Sequence, residues 1–207
     1  MKKIEPYSYL IGKVIYIKKG QYVPKKGHQF TLGLSVEGKK KSLDSTLLVI
    51  TYKKQIDFHN IKVNDFLVVL GDLLISSKEK GSVLSVVAKR IDKISDEEYK
   101  KIISDKEENN KTVLIGYVSK FPIVSKKANG KGSYMKIVLA IEKENRIFDL
   151  VPCVCALTEQ NSSSLIVGNK VCIVGRLESK NKTKGKSDVV KTIYEIYVTH
   201  SFKYRYE

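Results

Sequence analysis

The 207-residue chain has no tryptophan, three cysteines and four prolines, and acidic residues are scarce beside basic ones, 22 against 38. Each shortage closes off a class. Cys153, Cys155 and Cys172 all fall in apolar stretches. Three cysteines cannot build a closed disulfide framework, so reduced core thiols of a cytosolic protein are expected. Cys153 and Cys155 stand two apart, which on a strand points both sulfurs the same way. No further Cys or His pair lies at ligand spacing, and a structural zinc site wants four ligands, so no metal or cofactor is expected. No apolar run approaches 18 residues, which excludes a transmembrane helix. The opening Met1-Lys2-Lys3-Ile4-Glu5-Pro6-Tyr7 lacks the apolar stretch of a signal peptide. His28, His59 and His200 have no neighbouring acid and nucleophile to make a triad, and there is no Gly-x-x-x-x-Gly-Lys-Ser/Thr loop. Catalysis is not expected.

What is abundant is lysine, 34 of the 38 basic residues, in a chain of formal net charge +16. Residues 1–91 hold 17 basic and 7 acidic residues, a net +10. Residues 92–111 carry −2 and residues 112–207 carry +8. Two basic blocks thus flank an acidic spacer. Blocks of this kind meet polyanions, and the excess is more than solubility requires. An apolar share of 42% still permits a packed core.

The two blocks repeat each other. Leu10-Ile11-Gly12-Lys13-Val14 returns as Leu114-Ile115-Gly116-Tyr117-Val118, 104 residues later. Leu32-Gly33-Leu34-Ser35-Val36-Glu37 returns as Ile137-Val138-Leu139-Ala140-Ile141-Glu142, shifted by 105. The run from Val63 to Leu73 returns from Val167 to Leu177, again shifted by 104. Three blocks in order at one offset indicate a duplicated domain of about 95 residues. Leu32, Leu34 and Val36 alternate with small or polar residues, as in a half-buried strand. Leu67–Leu70 and Val171–Val174 are short apolar runs ending at glycine, and Leu84, Val86 and Ala88 supply a closing strand. Tyr52–Ile61 and Ala156–Leu165 each offer one short helical or irregular connection. Each copy therefore reads as about five strands and one short helix. Between them, Ser95 followed by Asp96-Glu97-Glu98 is a capping box, with Ile94 and Tyr99 placed as a hydrophobic staple. Residues 1–94 and 112–207 are the expected domains, joined by a helical, acidic linker at 95–111.

Leu-x-Gly-x-Val, then a Leu-x-Leu strand after a basic loop, then a strand ending Gly-x-Leu, resembles the bacterial single-stranded DNA-binding protein family. Leu10, Gly12, Val14, Leu32, Leu34 and Gly71-Asp72-Leu73 carry the likeness in the first copy. Leu114-Ile115-Gly116, Leu139-Ala140 and Val174-Gly175-Arg176-Leu177 carry it in the second. The resemblance implies an all-β chain of two tandem OB-folds, five-stranded Greek-key barrels whose strand 2–3 face and loops hold oligonucleotides. Two departures matter. The sequence stops at Tyr204-Arg205-Tyr206-Glu207, without the family's acidic recruiting tail. Tyrosine and phenylalanine must also replace the tryptophans that many members use for stacking.

Single strands are held by cations along the backbone and aromatic faces under the bases. The loop Ile17–Gly27 offers Lys18, Lys19, Lys25 and Lys26, and Ser119–Gly132 offers Lys120, Lys126, Lys127 and Lys131, neither with an acid. Ser76–Gly81 adds Lys78 and Lys80. Glu178–Thr192 is expected to be a flexible loop whose Lys180, Lys182, Lys184 and Lys186 clamp the backbone, with Arg176 beside it. His28 is a further candidate phosphate contact. Candidate stackers are Tyr22 and Phe121 in the basic loops, then Phe30, Tyr52, Tyr134 and Tyr194 on or beside strands. Some of these must be core, and strand phase decides which. The expected function is sequence-independent binding of single-stranded DNA by a cytoplasmic monomer or homodimer, in replication, recombination or repair. Single-stranded RNA, a primosome-type accessory barrel, and a protein-interaction module for an acidic partner are the alternatives. DNA and RNA are not separated, because the discriminating contact is to one 2′-hydroxyl.

Overall fold

Alternation of buried and half-buried residues runs the whole length of Ser45–Tyr52, with Leu47 and Val49 fully inside. Such a period-two pattern sets one face of a strand against a core. The computed structural model describes residues 5–38, 44–52, 60–78, 81–104, 108–126, 132–143, 147–184 and 187–204, with backbone alone at 77–78, 81–82, 182–184 and 187–191. It divides into two compact units, one of Tyr7–Ser76 and Leu84–Lys111, the other of Thr112–Glu207 with Met1–Pro6 and Ser77–Val83.

The first unit holds β1 (Tyr7–Val23), β2 (Gly27–Val36), β3 (Ser45–Tyr52), β4 (Phe66–Lys78) as far as Ser76, β5 (Gly81–Ile94) from Leu84, and α1 (Asp96–Ser104). Its strands are ordered β2-β3-β5-β4-β1, and β1 also pairs with β2, which closes a five-stranded barrel. β3 and β5 run parallel (Val49↔Val86), whereas β1–β2, β1–β4 and β2–β3 are antiparallel. Leu10, Val14, Leu32, Leu34, Leu67 and Leu84 fill the interior and are fully buried. Each such side chain contributes about 1.5–3 kcal/mol of transfer free energy.

The second unit holds β6 (Asn110–Val118) from Thr112, β7 (Ile123–Lys126), β8 (Ser133–Glu142), β9 (Phe148–Ala156), α2 (Glu159–Ser164), β10 (Lys170–Lys184) and β11 (Ser187–Lys203). The order β6-β10-β11-β9-β8-β7 is closed by β6–β8, and β9 runs parallel to β11. The two barrels thus share one strand plan. Gly12 and Gly116, 104 residues apart, occupy the same point of it. A Cβ on Gly12 would lie 2.4 Å from the Ser35 carbonyl oxygen, and one on Gly116 2.6 Å from that of Ala140. Only glycine lets the first strand cross from one neighbour to the other at that distance. The turn that feeds the fourth strand is repeated as well. Val14 N donates to Asp65 O (2.8 Å) and Asn64 N to Val14 O (2.8 Å), while Val118 N donates to Asn169 O (3.0 Å) and Gly168 N to Val118 O (2.9 Å). Asn64 and Gly168 both hold left-handed backbone there, φ 78° and 85°.

Both helices are fixed by their caps. Ser95 N donates to Glu98 Oε2 (2.7 Å) and Glu98 N to Ser95 Oγ (3.1 Å), the reciprocal box expected of this sequence. The Ser95 amide and the Ser95 hydroxyl, both donating to Oε2, hold the Glu98 carboxyl below its usual range. Tyr99 is buried by stacking on Phe66, ring centroids 4.2 Å apart, so α1 packs on the first barrel. Thr158 caps α2, accepting from Asn161 N at 3.2 Å. Buried Asn161 donates to Ala156 O (2.9 Å) and accepts from Ser201 Oγ (2.9 Å), which ties α2 to β11. The connection expected at Tyr52–Ile61 falls largely on 53–59, outside the described residues.

Three free cysteines lie in the second barrel. Cys153 and Cys155 both point inward from β9, and burial pushes the Cys155 thiol up to about 11. Among the described residues no group of three or more His, Cys, Asp or Glu side chains is placed to hold a metal ion. No described helix is long and apolar enough to cross a membrane.

Segments read as loops are strands in whole or in part: Ser119–Gly132 contains β7, and in Ser76–Gly81 β4 runs to Lys78 and β5 begins at Gly81. Ile17–Gly27 continues β1 to Val23 and returns at Gly27 around Pro24-Lys25-Lys26. Glu178–Thr192 is a paired ribbon, from Glu178↔Glu195 to Lys184↔Ser187. In the first arm the exposed run from Lys18 to Tyr22 puts solvent on both faces. A strand without a buried side has no alternation to show in its sequence.

Candidate nucleic-acid interface

The arm of the first barrel is built from β1 and β2. Lys26 N donates to Val23 O (3.1 Å), and Lys25 has φ 65° after Pro24. This is the type II pattern, proline second and left-handed backbone third, with lysine where glycine is usual. Lys18, Lys19, Lys25 and Lys26 are all exposed. Among the described residues none of the four is ion-paired to a carboxylate. Tyr22, 60% exposed, meets His28 edge-on at 5.5 Å. The His28 Nδ1 atom is buried with no hydrogen-bond partner among the described residues.

Register shows which side chains share the outer wall. Lys13 is opposite Ser35, Tyr16 opposite Gly33, and Lys18 opposite Thr31; Gly33 in turn is opposite Leu48, and Gln29 opposite Tyr52. Leu32 and Leu34 point inward, so Gly33 and Thr31 point outward, and with them Tyr16 and Lys18. Tyr52 ends this wall with Lys26 Nζ 5.0 Å from its ring centroid. A lysine over an aromatic face is attracted by the ring quadrupole. Burial pushes the Tyr16 phenol above its ordinary pKa.

The second barrel presents a different wall. β6 ends at Val118, and Phe121, 85% exposed, follows Lys120 outside any strand. β7 pairs with β8, setting Ser125 opposite Tyr134 and Ile123 opposite Lys136. Lys136 Nζ stands 5.6 Å from the Tyr134 ring. Tyr117 meets Phe148 edge-on at 6.5 Å, and Lys170 Nζ lies 5.3 Å from Tyr117 and 5.7 Å from Tyr204. On the β10–β11 ribbon, Arg176 pairs with Glu178 at 3.0 Å and lies 5.5 Å from the Tyr197 ring. Lys180 pairs with Glu195 and, at 3.5 Å, with Glu178. Burial opposes the Lys180 charge, but the two carboxylates outweigh it and raise its pKa.

The expected residues therefore separate. Lys18, Lys19, Lys25, Lys26, Tyr22 and Tyr52 come together on or beside the first arm, and Lys120, Phe121, Lys126 and Tyr134 lie along the β6–β8 side of the second barrel. Tyr194 is corrected: its phase is that of Ile196 and Val198, and it is buried inside the barrel. Phe30 follows the inward phase of Leu32 and is half-buried opposite buried Thr51. Arg176 and Lys180 face outward but spend their charge on Glu178 and Glu195. The side chains of Lys78, Lys80, Lys127, Lys131, Lys182, Lys184 and Lys186 lie outside the described residues. Sequence reasoning missed Tyr16, Lys13, Lys136 and Lys170. Gly33 in the middle of a strand was the available signal, since an interior glycine marks a close approach.

No protein-family model and no curated protein matches this sequence. Solved structures do. The single-stranded DNA binding protein from Thermus aquaticus superposes with a TM-score of 0.69 at 14% identity, covering 98% of this chain and 94% of that one. A deletion mutant of the same protein gives 0.70 at 15%, covering 98% and 96%. The N-terminal domain of PriB protein from Thermoanaerobacter tencongensis matches 48% of this chain at 22% identity, with a TM-score of 0.39. Each barrel is an OB-fold. The walls described above are its strand 1–3 surfaces.

Proposed function

We propose that the chain binds single-stranded DNA with little sequence preference, as an internally duplicated member of the bacterial single-stranded DNA-binding protein family. The carrying observation is a pairing made on both barrels: a tyrosine on the outer wall with a lysine at its ring, Tyr52 with Lys26 and Tyr134 with Lys136. Base stacking and phosphate neutralisation are the two demands of a single strand, and this pairing meets both at one point. The four exposed lysines of the first arm extend the cationic track. The fold shared with the Thermus aquaticus protein supports the reading. A cytoplasmic monomer or homodimer serving replication, recombination or repair in a bacterial, plasmid or phage system completes the proposal.

Fluorescence titration with labelled oligonucleotides of several lengths, single- and double-stranded at equal salt, tests it. Tighter binding of the single strand, strengthening with length up to a site size, is the expected result. Equal or tighter binding of the duplex would overturn it, because stacking needs unpaired bases.

A further inference from the structure

The outer wall of the first barrel contains an arrangement that the second lacks. Pairing along β1–β2 runs Lys13↔Ser35, Val14↔Leu34, then Tyr16↔Gly33, so Ile15 is the extra residue of a β-bulge. Without the bulge, Ile15 would face Gly33. With it, the tyrosine does, and bulges are a known means of re-aiming a side chain. Gly33 completes the seat. A Cβ there would fall 2.1 Å from Tyr16 Cε1, 2.5 Å from Cδ1 and 2.7 Å from Cζ, so the ring lies across the bare backbone. Tyr16 is nonetheless 39% exposed. In the second barrel the repeat has Val138 where the first has Gly33, and β6 ends at Val118, paired with Leu139, so no β6 residue pairs with Val138.

We propose that Tyr16, seated on Gly33 by the Ile15 bulge, is a stacking platform for one unpaired nucleobase, with Lys13 and Lys18 holding the adjoining phosphates. A ring already held against the strand loses little freedom when a base covers its open face, and this lowers the ordering cost of binding. The two lysines stand on the same outward phase, one pairing to Ser35 and the other to Thr31, on either side of the Tyr16–Gly33 pair. A base on Tyr16 therefore has a cation within reach along the strand in both directions. Four residues further along β2 and β3, Tyr52 with Lys26 offers the next ring on the same wall. The inference rests on the proposed single-strand binding and assigns one subsite within it. The competing role for the ring is to cover the glycine and support the strand, a purely structural service.

The chain has no tryptophan, so Tyr16→Trp introduces a single indole reporter. Titration of that variant with oligo(dT) should quench its emission, in step with binding measured independently by anisotropy of a labelled oligonucleotide. Tyr16→Phe should bind like the native chain. Tyr16→Leu should lose about 5- to 150-fold in affinity, the equivalent of 1–3 kcal/mol per stacked base, with an unchanged salt slope. Native-like affinity in Tyr16→Leu, or binding of oligo(dT) to Tyr16→Trp with unaltered emission, would overturn the platform. If Tyr16→Leu fails to fold, the tryptophan variant decides alone. Failure of the native chain to bind oligo(dT) would instead remove the single-strand reading itself, so the two failures are distinguishable.

Discussion

In the first barrel Lys13 Nζ lies 5.9 Å from the Phe66 ring; in the second, at the same pairing position, Lys170 Nζ lies 5.3 Å from Tyr117. Lys13 and Tyr117 are 104 residues apart, as are Phe66 and Lys170, so cation and ring have exchanged strands. A second aromatic attends each pair: Tyr99 of α1 stacks on Phe66, and Tyr204 lies beside Lys170. The glycines that let the first strand cross have not changed at all. The difference teaches which demands fall on atoms and which on chemistry. A backbone approach within 2.6 Å of a would-be Cβ admits one residue type, whereas a cation over a ring can be supplied from either strand.

The largest effect should come from breaking the shared frame. Gly12→Val or Gly116→Val would drive a side chain into a carbonyl and should cost about 3 kcal/mol, the upper range for overpacking. Chemical denaturation followed by circular dichroism checks this, and a loss below about 1 kcal/mol would refute the frame. Next is the arm. Lys25→Gly relieves left-handed backbone on a residue with a Cβ, which costs roughly 1 kcal/mol. The variant should therefore be more stable by up to that amount and bind oligonucleotide more weakly. Slightly smaller is the exchange itself. Lys13→Phe and Phe66→Lys should each destabilise, and the double variant should recover about 0.5–1 kcal/mol relative to their sum. Strict additivity in that cycle would mean that Lys13 and Phe66 do not interact.

The same comparison explains what could be read from the residues. Leu32, Leu34 and Val36 alternate because one side of β2 faces a core, and Ser95 with Glu98 announces α1 through local bonds alone. Lys18 to Tyr22 shows no such pattern, because that stretch of β1 has no buried side, and Lys180 to Lys184 pairs with β11 without any apolar alternation in its residues. Hence a clamp was expected at Lys180, where the ribbon instead brings Glu195 across from β11 to neutralise it. A cross-strand partner 15 residues away is not visible in a charge count. The role of Tyr16 is hidden in the sequence for a related reason. Its value depends on the Ile15 bulge, and a bulge shifts the strand phase by one residue without marking the sequence.

The two sets of lysines give the most direct test of the account. Each phosphate neutralised on a single strand contributes about −0.7 to the slope of log affinity against log salt. A native slope of roughly −2 to −5 on poly(dT) is expected for a few such contacts. Changing Lys18, Lys19, Lys25 and Lys26 together to alanine should flatten that slope by roughly 2–3, while Lys180→Ala, already balanced by Glu178 and Glu195, should leave it within error. A slope unmoved by the four-lysine change, with the fold intact by circular dichroism, would contradict the assignment of the first arm to the nucleic-acid backbone.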